Sequence, residues 1–146
     1  MAKEIHPTAI VDSHAEIEDE IVIGPFCIIG EGVHIKKGSK LISNVIIEGD
    51  TEIGENCTVF PFTSIGLPPQ DLKYKGEKTN VKIGNNNTIR EYITIHRASV
   101  SGDGTTTIGD NNFLMAYVHI AHDCKVGNHI IMANVATLAG HVTVED

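Results

Sequence analysis

Aliphatic residues return at every sixth position of this chain. Counted from Ile5 they are Ile5, Val11, Ile17, Ile23, Ile29, Ile35, Leu41, Ile47, Ile53, Val59 and Ile65. The count lapses over residues 66–82, resumes at Ile83, Ile89 and Ile95, and lapses again near residues 98–107. It then runs through Ile108, Leu114, Ile120, Val126, Met132, Leu138 and Val144. Two positions ahead of each aliphatic a small or apolar residue recurs, as at Ala9, Ile21, Cys27, Val45, Cys57 and Val118, with Asn87 and Asn112 departing from the rule. Two inward residues flanking one outward residue mark a short strand. The Gly, Asn and Asp that fill the rest of each six mark a turn. A strand and a turn in six residues fit neither a helix nor an ordinary sheet. They predict an all-β solenoid, the hexapeptide-repeat parallel β-helix.

The known fold of this repeat closes three sixes into one triangular coil and winds left-handed; the period alone shows neither. On that basis residues 1–146 form a single domain of about seven coils, a prism roughly 30–35 Å long at ~4.8 Å per stacked strand. A solenoid tolerates insertions because they leave from turns and project outward. The segment 66–82 is therefore expected as a projecting loop, stiffened by Pro68-Pro69 and basic in its second half. The Gly/Ser-rich stretch from Ser99 to Thr105 reads as a plain loop.

Orientation in this frame settles most of the reactive residues. Cys27, Cys57 and Cys124 all fall on inward positions, as buried small hydrophobes rather than nucleophiles or ligands. Val118-His119-Ile120-Ala121-His122-Asp123-Cys124 is the exception in chemical density. Val118 and Ile120 point inward, so His119 points out from a flat face and His122 falls in the turn beyond. Asp123 can fold back onto the His122 ring. His141 lies eighteen residues after Asp123 and stacks one coil on, within roughly 5–9 Å of His122. Gly140 beside it has no side chain to cover its N–H. Three readings compete. His122 can act as a general base, since an imidazole titrates near neutrality, with Asp123 fixing its tautomer and the Gly140 N–H available to an oxyanion. His119, His122 and His141 can be metal ligands. Or all can be ordinary surface histidines.

Charge narrows the class of partner. The chain carries 19 acidic against 11 basic residues, a net charge of −8, which argues against nucleic acid, a ligand that demands a basic face. Lys73, Lys75, Lys78 and Lys82 nevertheless cluster, as do Lys36, Lys37 and Lys40, and such patches can hold a phosphate or an acidic partner. No apolar run is long enough to span a membrane and the N-terminus is unlike a signal peptide, so a cytoplasmic location is expected.

Several segments together resemble the UDP-N-acetylglucosamine 3-O-acyltransferases of lipid A biosynthesis. They are Ile5-His6-Pro7-Thr8-Ala9-Ile10-Val11, Ile23-Gly24-Pro25-Phe26-Cys27, Pro69-Gln70-Asp71-Leu72-Lys73-Tyr74-Lys75-Gly76-Glu77, Thr94-Ile95-His96-Arg97, His119-Ile120-Ala121-His122-Asp123-Cys124 and Ala133-Asn134 through Leu138-Ala139-Gly140-His141-Val142. The repeat alone is shared by many acyltransferases; the Gln-Asp-Leu-Lys-Tyr loop together with His-Ile-Ala-His-Asp is specific. The resemblance implies transfer of a 3-hydroxyacyl chain from acyl carrier protein to the 3-hydroxyl of UDP-N-acetylglucosamine. It implies His122 as general base, Asp123 as its orienting acid and Gly140 as oxyanion donor. It implies Asp71, Lys73, His119 and His141 as substrate contacts, no cofactor and no metal, and a homotrimer with sites between prisms. It makes the lysine clusters contacts for the acidic carrier protein. Family members carry further coils and a C-terminal helical domain that this sequence lacks, so weak turnover or none is expected of it. A γ-carbonic-anhydrase-like metal enzyme and a non-enzymatic solenoid remain as alternatives; the first expects about one zinc per chain.

Overall fold

The computed structural model describes residues 2–146. Among them each periodic aliphatic occupies its own short strand, and 21 strands, β1 (Glu4–Ile5) to β21 (Thr143–Val144), follow one another without a helix. Each strand from β1 to β18 pairs in parallel with the strand three further along, so Ile5 lies opposite Ile23 and Ile95 opposite Ile120. The result is three seven-stranded sheets, the faces of a left-handed triangular prism. The period of six is thus the length of one face plus one corner, and seven coils stack as the sequence predicts.

Register holds because both inward residues of each strand face one column. A slip of one residue would turn that column outward. Ile23, Ile29, Ile35, Leu41, Ile47 and Ile53 are fully buried and stack aliphatic on aliphatic, and β-branched side chains suit this pleated surface. Where the inward residue just after a corner is polar, it has a second duty. Asn87 and Asn112, exceptions to the apolar rule, are both buried. The Asn112 N–H donates to Asn87 Oδ1 at 2.9 Å, and the Ile130 N–H donates to Asn112 Oδ1 at 2.7 Å. Their amide groups donate in turn to the carbonyls of Gly109 and Gly127. Corners leave backbone groups that the strand ladder cannot satisfy, and these side chains supply the partners.

The two insertions leave from one corner. The first joins β11 (Ser64–Leu67) to β12 (Asn80–Ile83), and the second joins β14 (Thr94–His96) to β15 (Thr105–Ile108). β11 and β14 belong to the second face and β12 and β15 to the third. The turn holding His122 and Asp123 follows β17 (His119–Ile120), another strand of that second face. The topology therefore places both loops on the side of the prism that carries the histidine stretch.

Candidate active site

The alternation of β17 sends Val118 and Ile120 into the core and His119 outward. His119 Nδ1 lies 2.6 Å from Thr94 Oγ1, its neighbour across the parallel pair of β14 and β17. Its ring meets His96 edge-on at 5.1 Å between centroids. His96 is buried at the end of β14. Burial, and then the charges of His119 and His122, pull its pKa down to about 4. His119 is shifted down for the same reasons, burial first and His122 second. Both rings are therefore neutral near pH 7. They form an uncharged wall beside His122.

His122 sits in the next turn, and its Nδ1 lies 3.0 Å from Asp123 Oδ2. An ionised carboxylate only accepts, so Nδ1 carries the proton and Nε2 carries the lone pair. Nε2 has no hydrogen-bond partner among the described residues. Asp123 is buried and takes a left-handed backbone angle, φ 62°. It is fixed from several sides. Its N–H donates to Thr106 Oγ1, and its Oδ2 also accepts the Ser99 N–H at 3.0 Å. Its other oxygen, Oδ1, has no hydrogen-bond partner among the described residues and occupies the space that a Cβ on Gly102 would need. His141 stacks one coil above Asp123, also left-handed at φ 65°. Its ring stands edge-on to His122 at 5.3 Å, inside the distance read from the repeat. Its Nε2 is 3.1 Å from Ser101 Oγ and 3.8 Å from Asp123 Oδ2.

Gly140 lies directly over the His122 ring. A Cβ at this position would run into the imidazole at Cε1 and Nε2. Its missing side chain therefore makes room for His122 as well as leaving the Gly140 N–H uncovered, and that N–H has no acceptor among the described residues.

Both insertions reach this turn, which corrects the expectation of a plain second loop. Ser99 is buried. Its hydroxyl donates to Asp71 Oδ2 at 2.6 Å while its N–H holds Asp123. Asp71 is thereby brought from the first insertion to the rim of the site. The Ser99 hydroxyl, then the Lys73 N–H, keep its carboxyl below the ordinary range. Lys73 is exposed and engages Asp71 through its backbone N–H at 3.1 Å. His96, Ser99 and Thr94 are site residues to which the sequence reading gave no role. The signal available was the Thr94-Ile95-His96-Arg97 segment, which ends where the count of six breaks.

This arrangement suits moving a proton. His122, Asp123 and His141 each bring one donor atom within 4.8 Å of the others. Asp123 Oδ2, however, is committed to two N–H groups, and His122 presents a proton to it. His119, the third imidazole of the metal reading, is turned to Thr94 and His96 instead. The donor set is organised as a carboxylate–imidazole pair with a free basic nitrogen, beside an open backbone N–H.

Residues 105–140 match the family described as bacterial transferase hexapeptide (six repeats). The acyl-[acyl-carrier-protein]–UDP-N-acetylglucosamine O-acyltransferase of Thermodesulfovibrio yellowstonii is 73% identical over 143 residues, covering 98% of this chain and 55% of that protein. The enzyme of that name from Saccharophagus degradans is 54% identical over 130 residues, 89% of this chain and 50% of its own length. Among solved structures, the UDP-N-acetylglucosamine acyltransferase of Francisella novicida superposes with a TM-score of 0.96 at 46% identity, covering 97% of this chain and 52% of that one. The chain spans about half the length of the curated relatives it matches.

Proposed function

We infer that this chain belongs to the UDP-N-acetylglucosamine O-acyltransferases, and we propose that its histidine turn is the proton-transfer centre of that reaction. In this reading the glucosamine 3-hydroxyl of UDP-N-acetylglucosamine rests against His122 Nε2. That nitrogen takes the hydroxyl proton as the oxygen attacks the thioester carbonyl of a 3-hydroxyacyl acyl carrier protein. The tetrahedral oxyanion receives the Gly140 N–H. Its collapse breaks the carbon–sulfur bond, and the leaving thiolate takes the proton back from His122. Asp123 holds the tautomer throughout and stabilises the imidazolium. Neutral His96 and His119 add no positive charge beside it. His119, His141, Asp71 and Lys73 contact substrate at the rim.

The observation that carries this reading is the fixed pair of His122 Nδ1 and buried Asp123, which leaves Nε2 free over Gly140. The acidic carrier protein suits the exposed Lys73, Lys75 and Lys78 of the first insertion, by charge complementarity. A homotrimer is supported by the second face, where Ile10, Ile28 and Ile46 are exposed. At its edge Phe62, Tyr92 and Tyr117 stack at 5.3 and 5.0 Å. The cytoplasm is the location that suits both proposed substrates.

The test is calorimetric titration of UDP-N-acetylglucosamine and its 3-O-acyl product, with metal chelated, alongside an acyl-transfer assay. The wild-type chain is expected to bind the acylated nucleotide. His122→Ala is expected to keep its melting temperature and to lower any transfer by about 10²–10⁴-fold, the usual worth of a general base. Binding that requires about one zinc per chain would favour the metal enzyme instead.

A further inference from the structure

The site depends on two loops that the repeat does not position. A coil fixes His119, His122 and His141 by stacking, but Asp71 lies on an excursion that leaves the prism at Leu67 and returns at Asn80. Arg97 holds the stem through the carbonyls of Gly66 and Leu67, and among the described residues two side-chain links tie the excursion beyond Leu67 to the second insertion region. Thr79 Oγ1 donates to the Ala98 carbonyl at the loop's return, and Ser99 Oγ donates to Asp71 Oδ2 near its outer part. Among the described residues, Tyr74 and Lys75 hydrogen-bond only within the same loop. Leu72 is almost wholly exposed, 94%, so apolar packing does not hold the tip.

We infer that Ser99 is a positioning residue: it clamps the first insertion to the carboxylate that orients His122, so that loop and base are held as one unit. The clamp has two separable halves. The backbone N–H of Ser99 fixes Asp123 Oδ2, and the hydroxyl of the same residue fixes Asp71 Oδ2. Ser99 is buried, so water competes poorly for either bond. A hydroxyl donating to an ionised carboxylate at this distance is a charge-assisted bond, among the stronger in proteins. Gly102 closes the other side of Asp123, where a Cβ would collide with Oδ1. The second insertion thus spans the gap between the projecting loop and the catalytic corner. The role assigned to the loop's contents, substrate contact by Asp71 and Lys73, rests on the function proposed above; the clamp does not.

Trypsin reads the clamp directly, because Lys73, Lys75 and Lys78 are all exposed on the loop and cleavage tracks how often a loop opens. Ser99→Ala removes the hydroxyl and keeps the N–H. It is expected to raise loop cleavage about tenfold, the opening expected from losing one such bond. Asp71→Ala, at a half-buried position, also frees the Lys73 N–H and is expected to raise cleavage at least as much, and the double variant to be cleaved no faster than Asp71→Ala alone. In all three the ¹⁵N signature of the His122 Nδ1–H bonded to Asp123 should persist. Wild-type cleavage in Ser99→Ala, additive effects in the double variant, or loss of the His122 signal together with loop protection would each overturn the inference. Titration of UDP-N-acetylglucosamine into the same proteins separates the two readings. About tenfold weaker binding in Ser99→Ala supports both, whereas no binding even by wild type counts against the proposed function and leaves the cleavage pattern to decide the clamp.

Discussion

His96 shows how a single buried side chain ties the stability of the fold to pH. It is buried against His119, and its pKa lies at about 4 against an ordinary 6.5. The unfolded chain therefore binds a proton between these values that the folded chain refuses. Stability from this residue is fully present above pH 6.5 and is lost as the pH falls from there toward 4, up to about 3 kcal/mol. Thermal unfolding followed from pH 7 to 4.5 should show this loss, and His96→Gln, which cannot titrate, should flatten the slope. An unchanged slope would remove His96 as its source. His122, Asp123 and His141 were legible because the repeat converts sequence separation into position: Asp123 and His141 are eighteen residues apart and so share a corner. Ser99 was not, because it lies where the count fails and the hexapeptide frame assigns no direction. His96 follows the last aliphatic before that lapse, and its place against the His119 ring depends on a side chain of the next coil that its own position in the six does not record.

At the scale of the element, the strands were fully legible and the corners only partly. A strand here needs an inward aliphatic with a small or apolar residue two positions before it, and that pattern prints itself on the sequence. A corner needs partners for its backbone, which can come from Ser, Thr or Asn, and this requirement leaves only sporadic exceptions such as Asn87 and Asn112. These exceptions carry stability. Asn112 accepts the Ile130 N–H and donates to the Gly127 carbonyl. Asn112→Ala would leave both part-buried backbone groups without this partner, a cost of about 2 kcal/mol. Urea unfolding should show a lower midpoint with an unchanged slope; a loss below ~1 kcal/mol would mean that water replaces the amide. The insertions repeat the lesson. Their existence was evident from two lapses in the count. That both open at the corner of the histidine turn was also implicit, since each follows a strand of the second face. Their contact with each other through Ser99 was not, because the hydroxyl–carboxylate pairing of Ser99 and Asp71 spans 28 residues of irregular chain.

At the scale of the whole molecule, the prism exposes an apolar band that the fold itself does not use. Phe62, Tyr92 and Tyr117 stack as a ladder, yet remain 54%, 48% and 57% exposed. They occupy positive-φ corner positions at 64°, 58° and 68°, where a glycine or asparagine would be less strained. Large aromatics at such positions serve intramolecular packing poorly and a partner surface well. The ladder runs along the edge that the face carrying His119 shares with the first sheet, and the histidine turn lies at the opposite edge, so a second copy reaches that turn only by covering the width of the face. Tyr92 stands in the middle of the stack, and a desolvated aromatic at the centre of an interface contributes about 2 kcal/mol or more. Sedimentation of the wild-type chain is expected to give a particle three times the 15.8 kDa protomer. Tyr92→Lys should dissociate about thirty-fold more readily, with the strand signal in circular dichroism retained because the side chain is half exposed within one prism. A wild-type chain that sediments as a monomer at tens of micromolar, or a Tyr92→Lys variant that stays trimeric throughout dilution, would separate this ladder from assembly.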